Sequence, residues 1–419
     1  MLRAAFYKAL YTVTFFLANL VLANMLLPAK FGSISLLIVN AAIVYLVTGL
    51  GTDGLVMHLL TNKKWNLAQA VSFTRYTLLL QVLLFLLLQF VHNGIWHTTL
   101  LAQKSTGFLV SEVFYFAGLV LLEKYNVLLT AEGKGQLANL LLLANGFLYA
   151  AVLLFIKYNL LSSYDAVFYV FCLQSFLQGC TLLLAFHWKQ KKGVYIRWQR
   201  QDVYGVLKMS AVVMVTNFIQ FLAYRIDFLL LKHFYSDYEV GVYAQSNKFA
   251  NLMWVLPNIF AFLLMPKFSQ VAEDKVPLLF RYAFLSGLGL LFFTFVITKL
   301  FYSQFINAAY IGGLPAFYLM LPGYFCWSVV IYFGAYFSWR GRFYNNLIIS
   351  SFCFVVILVC DLTLIPAFSI KGAAVSNTIA YTATLVVCCF LFSKTTGMGF
   401  SKIVRPQKKD FSLLLTLLK

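Results

Sequence analysis

Charged side chains are what this sequence has least of. Asp, Glu, Lys and Arg make up 11% of its 419 residues, whereas soluble domains carry roughly 25%. With 62% of residues hydrophobic, the chain has too few polar side chains to clothe a core in water, so a lipid environment is expected. Acids are scarcer still. Only 13 Asp and Glu stand against 32 Lys and Arg, a formal charge of +19. In a soluble chain that excess would suggest nucleic acid; here it is accounted for by basic residues held at the cytoplasmic ends of membrane spans.

Other absences narrow the class further. The cysteines, Cys172, Cys180, Cys326, Cys353, Cys360, Cys388 and Cys389, all fall in apolar stretches. None forms a C-x-x-C pair or has a His-rich neighbour, so neither a metal site nor a disulfide framework is expected. No G-x-x-x-x-G-K-[ST] occurs, which argues against ATP as the driver within this chain. No Ser-His-Asp or paired-carboxylate constellation lies outside the membrane, and the loops are too short to build one. An enzyme is therefore not expected, nor any cofactor. The apolar runs are continuous rather than alternating, which sets aside an outer-membrane barrel. Met1 to Leu27 lacks a small-x-small cleavage site before Pro28, so it is expected to be a permanent span rather than a signal peptide.

What is present is a series of apolar blocks of the ~20 residues that cross a ~30 Å hydrocarbon core as helix. They predict twelve spans, near 6–27, 33–60, 76–96, 106–130, 136–156 and 163–187, then 205–231, 240–266, 282–300, 313–339, 343–365 and 372–393. Basic residues gather in alternate loops, as at Lys63 and Lys64, Lys124 and Lys134, Lys189 to Arg200, and Arg340 and Arg342. The intervening loops hold little beyond Lys30, Lys104, Lys157, Lys232, Lys299 and Lys371. The positive-inside rule then puts both termini in the cytoplasm. The expected organisation is an N-terminal six-helix lobe over 1–187, a basic cytoplasmic linker over 188–204, a C-terminal six-helix lobe over 205–393 and a basic cytoplasmic tail over 394–419.

The two halves carry matching punctuation. Lys30-Phe31-Gly32-Ser33 corresponds to Glu239-Val240-Gly241-Val242 at an offset of 209, and Glu132-Gly133-Lys134 to Arg340-Gly341-Arg342 at an offset of 208. Six spans separate the halves, so both start on the same side. The fold class that follows is an all-α membrane protein of about twelve transmembrane helices. Its two lobes are related by a pseudo-two-fold along the membrane normal, and the substrate path is expected between them.

Three stretches carry a family resemblance. Tyr224 to Leu231, followed by Glu239 to Tyr243 and Leu264-Met265-Pro266-Lys267-Phe268-Ser269, resembles the start of the second lobe in one transporter family. That family is the polysaccharide-transporter branch of the multidrug/oligosaccharidyl-lipid/polysaccharide exporter superfamily. Ile365 to Ser376 resembles its turn into the twelfth helix, and Phe31-Gly32 with Gly49-Leu50-Gly51 resembles its first helical pair. The resemblance covers nearly the whole chain. It implies a flippase that carries an undecaprenyl-diphosphate-linked oligosaccharide, an O-antigen or capsule repeat, from the inner to the outer leaflet of the bacterial inner membrane. It also implies a polysaccharide polymerase and a chain-length regulator as partners.

The family's motifs mark turns, so site residues are read from physics. Arg225 and Lys248 are cations expected inside spans, where charge is costly unless it meets water or a partner. Gln245, Lys248, Asn251 and Asn258 recur at helical spacing on one face. Arg225, Lys248, Gln245 and Asn251 are the candidate substrate-binding residues, a guanidinium being suited to grip phosphate oxygens in a fork. Against this, Lys248 could snorkel to an interface, and Arg225 could pair with an acid. Asp53 and Asp227 are the candidate coupling-ion carboxylates, with Lys63 or Lys64 an alternative partner for Asp53. Glu112, Glu123 and Lys124 are expected near the membrane interfaces. A cation-coupled drug antiporter on the same fold and a polytopic polysaccharide polymerase or ligase are the rival functions. The first would want an acidic cavity, and the second a large external loop.

Overall fold

The computed structural model describes residues 2–61, 65–95, 106–159, 163–188, 200–264 and 276–398. Those residues are almost entirely helical. In chain order the helices are α1 (Leu2–Met25), α2 (Pro28–Gly49), α3 (Thr52–Thr61), α4 (Leu67–Ile95), α5 (Thr106–Ala131), α6 (Gly135–Tyr158) and α7 (Tyr164–Trp188). Then come α8 (Arg200–Phe234), α9 (Asp237–Leu264), α10 (Val276–Phe305), α11 (Leu314–Trp339) and α12 (Phe343–Thr396). Nine of the described helices are long and apolar enough to cross a membrane.

Local signals in the sequence explain where several helices begin. Pro28 opens α2 at a position whose N–H would be unpaired in any case. Asn66 caps α4 reciprocally with Gln69, each side chain accepting the other's backbone N–H at 2.8 and 3.0 Å. Asn307 caps the 3-10 turn Ala308–Gly313 that leads into α11.

Two predicted spans are built differently from the expectation. The span near 33–60 is not continuous. Leu50 and Gly51 adopt positive φ of 49° and 65° and end α2, and α3 restarts at Thr52. Near that break Gln81 Nε2 of α4 donates to the Tyr45 carbonyl at 3.1 Å. The second difference concerns α12. Its 54 residues would reach about 80 Å as one straight helix, far beyond a bilayer. Ser369 breaks it with φ 50° and ψ −131°, and Gly372 lies against the backbone of Leu364 and Ile365. Residues eight apart in a straight helix are about 12 Å apart, so the chain folds back there and makes the two passes predicted near 343–365 and 372–393.

The described chain packs as two compact units, Met1–Gly241 and Val242–Lys419. In the first, α5 packs on α7, α1 on α6, and α8 on α2 and α3. Gly118 and Gly179 let α5 and α7 approach until backbone meets backbone: a methyl at Gly118 would overlap Ser175 and Phe176, and one at Gly179 the Gly118 carbonyl. Close approach through small residues is how membrane helices gain packing without a hydrophobic drive. In the second unit α11 packs on α12, with Gly323 against the Thr378 backbone. In that unit's core Phe280 stacks on Phe333, centroids 4.2 Å apart, and Phe392 meets Phe280, Phe333 and Tyr336 edge-to-face.

The predicted repeat has a local counterpart at its second mark, Glu132-Gly133-Lys134 and Arg340-Gly341-Arg342. After α5, Gly133 (φ +76°) closes the helix with bonds from Gly133 N to Thr130 O and Lys134 N to Leu129 O. After α11, Gly341 (φ +70°) makes the same pair, Gly341 N to Ser338 O and Arg342 N to Phe337 O. Both are the left-handed glycine cap that satisfies the last helical carbonyls. The predicted linker lies mostly outside the described residues, α8 starting at Arg200, and the tail beyond Met398 lies outside them too.

Candidate functional site

The first unit gathers charge around the α2–α3 break. Asp53, on the first turn of α3, forms an ion pair with Lys124 of α5, Nζ to Oδ1 3.1 Å, the two side chains being 22% and 1% exposed. Tyr45 of α2 donates its hydroxyl to the other carboxylate oxygen, and Thr52 Oγ1 stands 3.5 Å from the ammonium. A candidate coupling carboxylate is thus held by three helices and reaches the surface only in part. Among the described residues its cation is Lys124; Lys63 and Lys64, the alternative partners, lie outside them. Glu123 is close enough to Asp53 and Lys8 to interact with both electrostatically.

Two residues expected near the membrane interfaces are buried within the unit. Lys124 is 2% exposed. The helical turn beside Glu123 points it into the unit, where an unpaired ammonium would be prohibitive. Glu112 is also buried, at 1% exposure, accepting a hydrogen bond from Gln89 Nε2 at 2.8 Å. Sequence reasoning missed Lys124 because nothing in one dimension shows that α3 brings an acid to it.

On α8, Arg225 is partly exposed and lies over the Phe228 ring, 5.1 Å from its centroid, an arrangement that favours a cation on an aromatic face. Asp227 is buried, and its Oδ1 accepts the Phe228 backbone N–H at 2.9 Å. Residues two apart leave a helix in different directions, and the burial of these two follows that rule.

In the second unit the polar stripe of α9 divides. Gln245 is fully buried, and neither its amide oxygen nor its nitrogen has a hydrogen-bond partner among the described residues. Lys248 and Asn251 are partly exposed and Asn258 is exposed. Asn251 donates to Asn247 Oδ1 at 2.8 Å, and Asn247 donates to the Tyr324 hydroxyl of α11 at 2.7 Å. Trp254 stacks on Tyr324, centroids 4.4 Å apart at 11°, and its indole N–H donates to the Tyr324 carbonyl at 3.1 Å. Asn247 and Trp254 were not singled out from sequence. A tryptophan well inside the span predicted near 240–266, rather than at its end, was the available signal.

Among the described residues, no group of three or more His, Cys, Asp or Glu side chains is placed to hold a metal ion. The series of long apolar helices defines a multi-pass membrane protein. Residues 21–312 match the family described as polysaccharide biosynthesis protein, and the chain belongs to that family. Solved structures agree on the fold. A multidrug resistance MATE family transporter in an inward-facing conformation is similar with TM-score 0.69 at 12% identity, covering 92% of this chain and 94% of its own. The lipid II flippase MurJ in an inward closed conformation is similar with TM-score 0.68 at 13% identity, covering 100% and 96%. A point mutant of the Vibrio cholerae MATE transporter VcmN gives TM-score 0.67 at 12% identity, covering 96% and 97%. No curated protein matches the sequence.

Proposed function

We propose that this protein is a flippase that moves an undecaprenyl-diphosphate-linked oligosaccharide across the bacterial inner membrane by alternating access, with both termini in the cytoplasm. The observation that carries this reading is the partly exposed cation Lys248, beside the polar Asn251 and Asn258 on α9, the helix that covers the span predicted near 240–266. A lipid-facing ammonium and amides would cost several kcal/mol, so the stripe is read as facing water. Arg225 and Lys248 are the cations proposed to meet the diphosphate, and Asn251 to orient it. Gln245 is proposed to join them in another conformation, because a buried amide with no partner costs roughly 1 to 3 kcal/mol. Family membership supports a polysaccharide substrate, and the MurJ-like fold supports handling of a lipid-linked one.

Asp53 and Asp227 are proposed as coupling carboxylates. At Asp53, a proton or sodium ion would compete with the Lys124 ammonium for the same oxygens, which gives the coupling ion something to displace. The basic stripe disfavours the drug antiporter, whose organic cations it would repel.

The test is export. Lys248→Ala and Arg225→Ala should abolish surface polysaccharide while the protein stays in the membrane at normal levels. Arg225→Lys should recover only part, since the fork is lost. Normal export by both alanine variants, or efflux of a cationic dye from vesicles, would overturn the reading.

A further inference from the structure

We propose that the accessible face of α9 is a carbohydrate-binding surface, with the Trp254 indole as the platform on which a sugar ring stacks. The inference rests on the flippase reading and names the part of the substrate that this helix handles.

The geometry separates a rigid inner layer from an accessible outer one. Inward, Asn251, Asn247 and Tyr324 form a chain of hydrogen bonds at 2.8 and 2.7 Å, and Asn258 Nδ2 donates to the Trp254 carbonyl at 2.8 Å. Trp254 is fixed twice, by its N–H on the Tyr324 carbonyl and by the Tyr324 ring beneath it. The Tyr381 ring stands edge-on at 5.9 Å. An indole immobilised this way loses little further entropy when a ligand lands on it.

Outward, Trp254 remains partly exposed, and so do Asn251, Asn258 and Lys248. Residues 251, 254 and 258 follow one another at helical spacing. Both amides spend an N–H on the protein, leaving their carbonyl oxygens to accept from hydroxyls. An aromatic face flanked by amide acceptors suits a pyranose, which offers C–H groups on its faces and O–H groups around its rim. From Lys248 to Asn258 the helix rises about 15 Å, enough for a short oligosaccharide. Lys248 at one end provides for an acidic group, the diphosphate or a charged sugar. A hydrocarbon tail would find the same stripe unfavourable, because it would desolvate the amides and the ammonium without replacing their hydrogen bonds.

The experiment uses the full-length protein in lipid nanodiscs and two probes. One is undecaprenyl diphosphate; the other is the undecaprenyl-diphosphate-linked oligosaccharide extracted from cells that make the polysaccharide. Wild-type protein should bind the glycosylated probe more tightly than the bare one. Trp254→Leu should weaken the glycosylated probe about tenfold and leave the bare probe unchanged, whereas Trp254→Phe, which keeps a ring, should lose less. Asn258→Leu, at an exposed position where misfolding is not expected, should reproduce the selective loss in smaller measure. If neither Trp254→Leu nor Asn258→Leu changes binding of the glycosylated probe, or if both weaken the two probes equally, the carbohydrate surface is refuted. Failure of the wild-type protein to bind either probe would instead refute the flippase reading on which it rests.

Discussion

Gly32 and Gly241, 209 positions apart in the chain, each lie against the backbone of the other's helix. A methyl on Gly32 would overlap the Asp237 carbonyl oxygen, and one on Gly241 would overlap the Pro28 carbonyl oxygen. The contact is reciprocal at a single offset, since Pro28 stands to Gly32 as Asp237 stands to Gly241. Reciprocity of that kind is what a two-fold axis passing through a contact produces, and it supports the internal repeat proposed from sequence. Ser33 adds a hydroxyl 3.4 Å from Asp237 Oδ2 at the same place.

Neither glycine can be replaced cheaply. The overlapped atoms are backbone, so Gly32→Ala and Gly241→Ala should each destabilise the protein by about 1 to 3 kcal/mol, read as a lower midpoint of thermal unfolding in detergent. Because both substitutions push apart the same pair of helix ends, the double variant should lose clearly less than the sum of the two. A strictly additive double variant would show that the two glycines act separately.

The Asp53–Lys124 pair makes a second prediction. The buried member of the pair is Lys124, and removing the carboxylate strands its ammonium, so Asp53→Asn should be strongly destabilising, of order 3 to 5 kcal/mol. Asp53→Asn combined with Lys124→Met should recover much of that loss, measured by the same unfolding midpoint. No recovery in the double variant would mean that Lys124 is held by something other than Asp53.

The glycine caps after α5 and α11 predict equal behaviour at equivalent places. Gly133→Ala and Gly341→Ala force a Cβ into positive φ and should each cost about 1 to 2 kcal/mol. Gly289, in the body of α10 with open space around it, is the control: Gly289→Ala should leave stability unchanged or raise it by up to about 1 kcal/mol. A loss at Gly289 matching that at the caps would remove the conformational explanation.

Orientation is testable at two exposed positions on opposite sides of the proposed topology. On a cysteine-free background, Ser236→Cys at the α8–α9 turn should react with a membrane-impermeant thiol reagent applied to intact cells stripped of their outer barrier. Asn66→Cys, at the start of α4, should react only after the membrane is opened. The reverse pattern would invert the topology.

The sequence by itself determined the helical class and the chemical character of the chain. Scarcity of charge compels lipid, lipid compels backbone groups to bond within their own segment, and alternation of Lys and Arg between loops is the ground for the proposed order of crossings. Gly133 and Gly341 were legible as turns because a left-handed cap has a one-residue signature. What only the tertiary structure decided was which polar side chains are spent on the protein and which remain accessible. Gln245, Lys248 and Asn251 look alike on a helical wheel, yet the first is buried and the other two are not. Lys124 gives no sign in the sequence that it is buried against Asp53, which α3 brings within 3.1 Å of it. The physical reason is that periodicity fixes the direction of a side chain around its own helix but carries no record of which neighbouring helix stands there. Pairing and burial are properties of that neighbour.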